Sequence, residues 1–399
     1  MITNKAEEKL NIICLSNQLW DFENWTNKKH VMYRLSKMGH NVLFVDPPFN
    51  TGFLFLRQLR RGLWNLSRLA RQFKYDPSRV IVYTPLNLVP FGWFTSLLHA
   101  LRIRLLSRLL DSKRNTVLWV YHVEIAGLKH YMNLVKHDVL VYDCVDNYVG
   151  FPRHDTLRKK EKIRKIEEYL TRKADVVFAT TESLTKKLSK YNMNTHFTPN
   201  VGDFDRFKNT RKYKYKIPED LKKIPPPRIG FIGAIDPYKF DINLVKRVAQ
   251  DHPNYSFVII GPSGLKDDDV ELGLEKLNNV YYLGSKPYKD KKHYMAGFSV
   301  DIIPYVLNDY TINGCFPVKF HDSLAAGMPL VVTDLPSYAP FEDVCYISKS
   351  YEEFSKNIKR ALDEDSLGKI KERQRVAKKH SWDNKVEKMV GLINDALTK

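Results

Sequence analysis

The chain has 399 residues, 43% of them hydrophobic, more than one ordinary core holds and enough for two or three domains. Lys and Arg outnumber Asp and Glu by 64 to 45, and the formal charge of +19 asks for an acidic partner: nucleic acid, anionic lipid or a phosphorylated substrate. The four cysteines show neither zinc spacing nor a Cys-x-x-Cys pair, no signal peptide is visible, and no apolar run approaches the roughly 20 residues of a membrane span, so a reduced cytosolic protein, soluble or membrane-associated, is expected.

Residues 10–16 read as a strand, followed by an aromatic loop over 17–27 that holds Trp20, Asp21, Phe22 and Trp25. A helix over 28–38, stopped by Gly39, and a strand over 41–46 complete a βαβ opening that lacks the Gly-rich dinucleotide fingerprint. Residues 53–74 carry Arg57, Arg60, Arg61, Arg68, Arg71 and Lys74 among leucines and aromatics with no acid, and 92–114 repeat the pattern with Trp93, Phe94, Arg102, Arg104 and Arg108. Basic amphipathic segments of this kind suit an anionic headgroup interface; solvated arginines on core-facing helices are the alternative. Strands over 80–83, 116–121, 139–142 and 175–179, separated by helical patterns such as 157–173, predict a doubly wound domain. The charged stretch 212–227, ending Ile-Pro-Pro-Pro, reads as a linker.

A second series then begins. Strands are expected over 228–232, 255–260, 280–283 and 300–303, a helix over 242–250, a helix over 316–326 stopped by Gly327, a strand over 330–332, and helices through 351–399. The expected fold is α/β, with two Rossmann-like domains facing each other across a cleft: 1–212, a linker 213–227, 228–380, and a C-terminal helix 381–399 able to cross back. Within the second domain, Lys319 and Asp322 lie three apart near the start of the 316–326 helix, on one face. A helix N-terminus at the carboxyl end of a parallel strand holds anions, so a phosphate suits Lys319 and sugar hydroxyls suit Asp322.

Four stretches resemble the GT-B glycosyltransferases, in particular the bacterial teichuronic acid and xanthan glucuronosyltransferases. They are Leu15-Ser16-Asn17-Gln18-Leu19-Trp20-Asp21-Phe22 with Gly39-His40 to Pro47; Val141-Tyr142-Asp143-Cys144-Val145-Asp146-Asn147-Tyr148; Pro199-Asn200-Val201-Gly202-Asp203 with Phe207; and Pro317, Lys319, Asp322, Ala325, Gly327 and Pro329. The last is the most specific, with Asp322 where the family has Glu.

The resemblance implies transfer of a sugar from a nucleotide donor, UDP-linked by expectation, to a lipid-linked or saccharide acceptor of surface polysaccharide synthesis. Such transfer needs an anchored diphosphate, a base for the acceptor hydroxyl and a site closed to water. Lys319, the amides of Gly233 and Ala234 and the helix start at Phe316 are expected on the diphosphate, Pro304 and Tyr305 beside the nucleobase, and Asp322 on ribose or sugar hydroxyls. Asp146, then Asp21, then Asp143 are the candidates for the base, with a turn or capping carboxylate as the competing role for each. A retaining enzyme of this fold carries two acids eight apart; Gly314 stands eight before Asp322, which favours inversion.

Asp203-Phe204-Asp205 and Asp267-Asp268-Asp269 are set aside as metal sites, and the histidines, His122, His154 and His321 among them, lack zinc spacing. No metal, other cofactor or nucleic acid is expected. The protein is expected at the inner face of the cell membrane, held there by 53–74 and 92–114. A nucleotide-sugar epimerase of the same fold and a basic scaffold for anionic polymer are the competing functions.

Overall fold

The computed structural model describes residues 8–22, 25–50, 73–87, 92–211, 217–263, 274 and 277–398. The basic segment 53–74 lies outside them except for Phe73 and Lys74, and so does the run 267–269. The chain forms two compact units, Met1–Thr198 with Val386–Lys399, and Pro199–Lys385. The described part of the stretch read as a linker lies inside the second unit, where Leu221 in the helical turn Glu219–Lys222 is fully buried.

The first unit is built on β1 (Asn11–Leu15), β2 (Asn41–Val45), β4 (Phe73–Tyr75), β5 (Val80–Tyr83), β7 (Thr116–Val120), β8 (Val139–Cys144), β9 (Val176–Ala179) and β10 (Thr195–Phe197), with a small separate pair of β3 (Phe49–Asn50) and β6 (Leu86–Asn87). The main sheet runs β10-β9-β8-β7-β1-β2-β5-β4 and is parallel except at the β4 edge. β1 and β8 are buried along their whole length, as the continuous apolar runs of a sheet covered on both faces require. The helix Leu157–Lys173 matches its expected bounds and begins at Thr156, whose hydroxyl accepts the Lys159 amide.

The helix Gly92–Leu106 departs from a simple amphipathic pattern because it is apolar on two sides. Ala100 and Ile103 face the core, whereas Phe94, Leu98, Leu101 and Leu105, with Leu109 just beyond the helix, are 43–66% exposed. Their spacing of four, three, four and four residues sets them along one stripe.

The second unit carries β11 (Arg228–Ile232), β12 (Ser256–Ile260), β13 (Val280–Tyr282), β14 (Val300–Ile303), β15 (Leu330–Thr333) and β16 (Tyr346–Ser348), all parallel, in the order β13-β12-β11-β14-β15-β16. Numbered along the chain this is the 3-2-1-4-5-6 order of doubly wound nucleotide-binding sheets. The strand order reverses between β11 and β14, and ligands of such sheets bind outside the carboxyl ends at that point. In the first unit the reversal falls between β1 and β7. β3, β4, β6, β10 and β16, of two or three residues each, escape sequence reading, whereas the equally short β13 was legible because its apolar run continues to Leu283.

Candidate functional site

In the second unit, β11 leads into Gly233, β14 leads into Pro304 and Tyr305, and the helix Val318–Ala326 starts beside them. Pro317 occupies the N-cap position, and no side chain caps the first turn, which leaves early amides for a ligand. The helix begins two residues later than the expected Phe316. The Phe316 side chain is buried among Phe320, His321, Tyr338 and Phe341, so only its backbone borders the helix start.

Lys319 extends from the first turn to lie 4.0 Å from the Phe231 ring centroid and 5.3 Å from that of Tyr305. A Cβ added to Gly233 would sit 1.8 Å from its Nζ, so only glycine at the end of β11 leaves room for the ammonium. Among the described residues no carboxylate pairs with it. Asp301, beneath it on β14, accepts the Ser323 hydroxyl instead, and burial pushes its carboxyl up to about 6. Burial, reinforced by Lys291 and Lys239, draws the Lys319 ammonium down to about 7. A cation held in this way gains most from an arriving anion.

The other residues expected at the donor lie in varied settings. The Gly233 amide donates to the Ile260 carbonyl at 2.8 Å and is occupied, while Ala234 is exposed. The carbonyl of buried Pro304 accepts the Asp241 amide at 2.8 Å; Tyr305 is 5% exposed, its ring facing Lys319 Nζ. Asp322 is 1% exposed, with Oδ1 accepting the Asp203 amide at 3.0 Å and Oδ2 paired with Lys291 Nζ at 2.8 Å. A hollow of about 580 Å³ beside β16 includes none of these residues, and several of its charges pair with each other, Lys369 and Arg360 on Glu364.

In the first unit, Asp143 at the end of β8 has no exposed surface and lies against Tyr121, Cys14 and Lys28. Asp146 is half-buried, and its charge, with that of Asp143, opposes the burial that lowers the Lys28 ammonium. Asp21 is well exposed, 2.9 Å from Lys74 Nζ. None of the three lines the pocket of about 290 Å³ beside the carboxyl ends of β1, β2 and β7.

That pocket is lined instead by Asp46, His99, His122 and Glu124, with Ser96 and Tyr131. His122 Nδ1 accepts the Glu124 amide at 3.0 Å, and burial drives the imidazole down to about 4, so it is neutral. The Glu124 carboxylate receives His154 Nε2 at 2.9 Å and Arg153 Nε at 3.1 Å. His122 and Glu124 are the residues that the zinc-spacing question passed over; the legible signal was their place just after β7, at the strand-order reversal. Asp203 and Asp205 pair with Arg206 and Lys208, and no group of three His, Cys, Asp or Glu among the described residues is arranged to hold a metal.

Comparison with known proteins bears on the fold. Residues 226–364 match the family described as Glycosyl transferases group 1. Over 257 residues the chain is 28% identical to TuaH of Bacillus subtilis (strain 168), a glycosyltransferase assigned to teichuronic acid biosynthesis; the match covers 62% of this chain and 64% of that relative's length. Three solved structures superpose over nearly the whole chain. Sucrose-phosphate synthase from Thermosynechococcus elongatus gives a TM-score of 0.70 at 12% identity, covering 98% of this chain and 100% of that one. HepE of Anabaena in complex with UDP gives 0.66 at 14%, covering 97% and 100%. An α,α-trehalose-phosphate synthase (UDP-forming) from Burkholderia vietnamiensis gives 0.65 at 13%, covering 96% of both. The fold is GT-B, and the resemblance read from the sequence stands.

Proposed function

We propose that this chain is a glycosyltransferase that moves a sugar from a nucleotide donor, UDP-linked, to a lipid-linked or saccharide acceptor in surface polysaccharide synthesis. The observation that carries the proposal is Lys319, a cation paired with no carboxylate among the described residues, set between Phe231 and Tyr305 at an uncapped helix start and at the strand-order reversal. This is the equipment for a diphosphate leaving group: a charge and free amides converge where negative charge grows as the glycosidic bond breaks. Lys239 and Lys291, close enough to act on Lys319, add to the field.

Chemically, the acceptor hydroxyl gives its proton to a carboxylate and attacks the anomeric carbon in line, while the diphosphate departs toward Lys319. Gly314, where a second acid would stand in a retaining enzyme, supports this single displacement with inversion. Asp146, half-buried just after β8, is the proposed base, ahead of Asp21, which pairs with Lys74 at the surface, and Asp143, which is sealed in the core. Metal-independent transfer is part of the proposal, and full activity in excess chelator is its expected result.

The exposed stripe Phe94, Leu98, Leu101, Leu105 and Leu109, interleaved with exposed Arg102, Arg104 and Arg108, supports peripheral contact with an anionic membrane. No helix among the described residues is long and apolar enough to cross a membrane. A nucleotide-sugar epimerase has no use for such a face.

The deciding experiment is a thermal-shift screen of UDP, GDP, dTDP and CMP compounds, since a ligand of the folded state alone raises its stability. UDP compounds are expected to raise Tm in the wild type and not in Lys319→Met. Absence of any nucleotide effect overturns the transferase reading, and full transfer by Asp146→Asn removes Asp146 as the base.

A further inference from the structure

The segment by which the chain joins the second unit, residues 199–208, is strapped along the helix Val318–Ala326 at successive points. Asn200 Nδ2 donates to the Phe316 carbonyl at 2.9 Å, just ahead of the helix. Gly202 lies flush on the helix backbone, where an added Cβ would come within 2.7 Å of the His321 carbonyl carbon and 2.9 Å of the Asp322 nitrogen. The Asp203 amide donates to Asp322 Oδ1 at 3.0 Å. Gln374 Nε2 then bridges the Lys208 and Ala325 carbonyls at 2.6 and 3.1 Å.

Asp322 sits at the middle of this strap, and its second oxygen engages a third element. Lys291, from the helix Lys291–Met295, places Nζ 2.8 Å from Asp322 Oδ2 and 5.3 Å from the ring centroid of Phe207, which belongs to the strapped segment. One lysine therefore binds the helix and the segment together. A carboxylate 1% exposed, one methylene shorter than the glutamate of the resembled pattern and bonded through both oxygens, offers no surface to a ribose or sugar hydroxyl. Turning it toward one would strip Lys291 and the Asp203 amide of their partner in a buried place.

We propose that Asp322 is a positioning residue, which with Lys291 fastens residues 200–207 to the helix carrying Lys319, and is not a ligand of the donor. The proposal rests on the nucleotide-sugar reading of the Lys319 site. It makes the placement of Lys319 and the first-turn amides depend on a contact buried behind them, three residues along the helix.

The test uses UDP and 2′,3′-dideoxy-UDP, the second lacking both ribose hydroxyls, with the full-length wild type, Asp322→Asn, Asp322→Ala and Lys291→Met. A positioning role predicts that Asp322→Ala and Lys291→Met weaken both nucleotides by the same factor, about fivefold or more, so the UDP to dideoxy-UDP affinity ratio stays as in the wild type. A ribose ligand predicts a ratio that collapses in the Asp322 variants and stays intact in Lys291→Met, and that result overturns the proposal. Hydrogen exchange gives a readout free of any nucleotide: amides of 203–207 exchange faster in Asp322→Asn and in Lys291→Met, with the double variant no worse than the stronger single. Unchanged exchange in both singles also overturns it. If the wild type binds no nucleotide, the transferase reading fails while exchange still decides whether the strap exists.

Discussion

At the scale of single residues, Lys319 as the proposed diphosphate ligand carries a pH expectation. Its ammonium is drawn down to about 7 in the free protein by burial and by Lys291 and Lys239. A bound diphosphate restores the charge, so donor binding takes up a proton once the pH is above that value. Donor affinity is therefore flat below about pH 6 and falls by up to about tenfold per pH unit above 7, until the bound-state pKa is reached. The same group has the opposite effect on folding: between about pH 7 and the usual lysine value the unfolded chain holds the extra proton, so the Lys319 contribution to stability rises with pH. Titration calorimetry of UDP across pH 6–9, in buffers of differing ionisation heat, checks the first trend, and no proton uptake at pH 8 refutes it. Gly233→Ala tests the same space, because its methyl would lie 1.8 Å from Lys319 Nζ. It is expected to abolish the Tm rise produced by UDP while lowering the ligand-free Tm far less than loss of a core side chain does. Lys319 was legible because a specific spacing carried it. The pairing of Asp322 with Lys291 was not, since Lys291 is 31 residues away and only the folded sheet brings it near.

Among elements, the helix Gly92–Leu106 shows how far sequence pattern reaches. Its mixture of arginine, aromatic and leucine is visible in the chain, yet which leucines face outward depends on where Ala100 and Ile103 dock. The stripe from Phe94 to Leu109 yields a clean expectation. Leu101→Glu with Leu105→Glu reduces sedimentation with phosphatidylglycerol vesicles by about tenfold or more, since burial of each leucine is worth roughly 1.5–3 kcal/mol. Thermal stability in solution shifts by less than about 0.5 kcal/mol per site because both side chains are exposed in the free protein. Binding left unchanged, or lost together with the fold, counts against membrane docking by this face. The short strands β4, β10 and β16 teach the complementary lesson, for three residues acquire strand geometry from a neighbour already in the sheet.

For the whole molecule, the C-terminal residues matter in proportion to what they bury. Val386, Met389, Val390 and Ile393 of the last helix are fully buried and belong to the first unit, although nearly two hundred residues separate them from the rest of it. Deleting 386–399 removes four buried apolar side chains worth roughly 1.5–3 kcal/mol each as an upper range. The expected outcome is a lowered Tm, with faster hydrogen exchange in the first-unit strands before those of the second. A truncated chain as stable as the full one refutes this.

By itself the sequence determined the class of the fold, because continuous apolar runs alternating with helical periods admit little besides parallel sheets covered on both faces. It also singled out Lys319 as the proposed diphosphate ligand, since a cation at a fixed offset in a strand, helix and strand unit is a local fact. Only the tertiary structure decided which neighbours act on each charge. It sealed Asp143 in the core, left Asp21 at the surface with Lys74, brought His122 and Glu124 to a pocket, and turned both oxygens of Asp322 inward. The reason is that burial and pairing between residues distant in sequence are set by how strands are ordered, and strand order leaves no mark on local pattern.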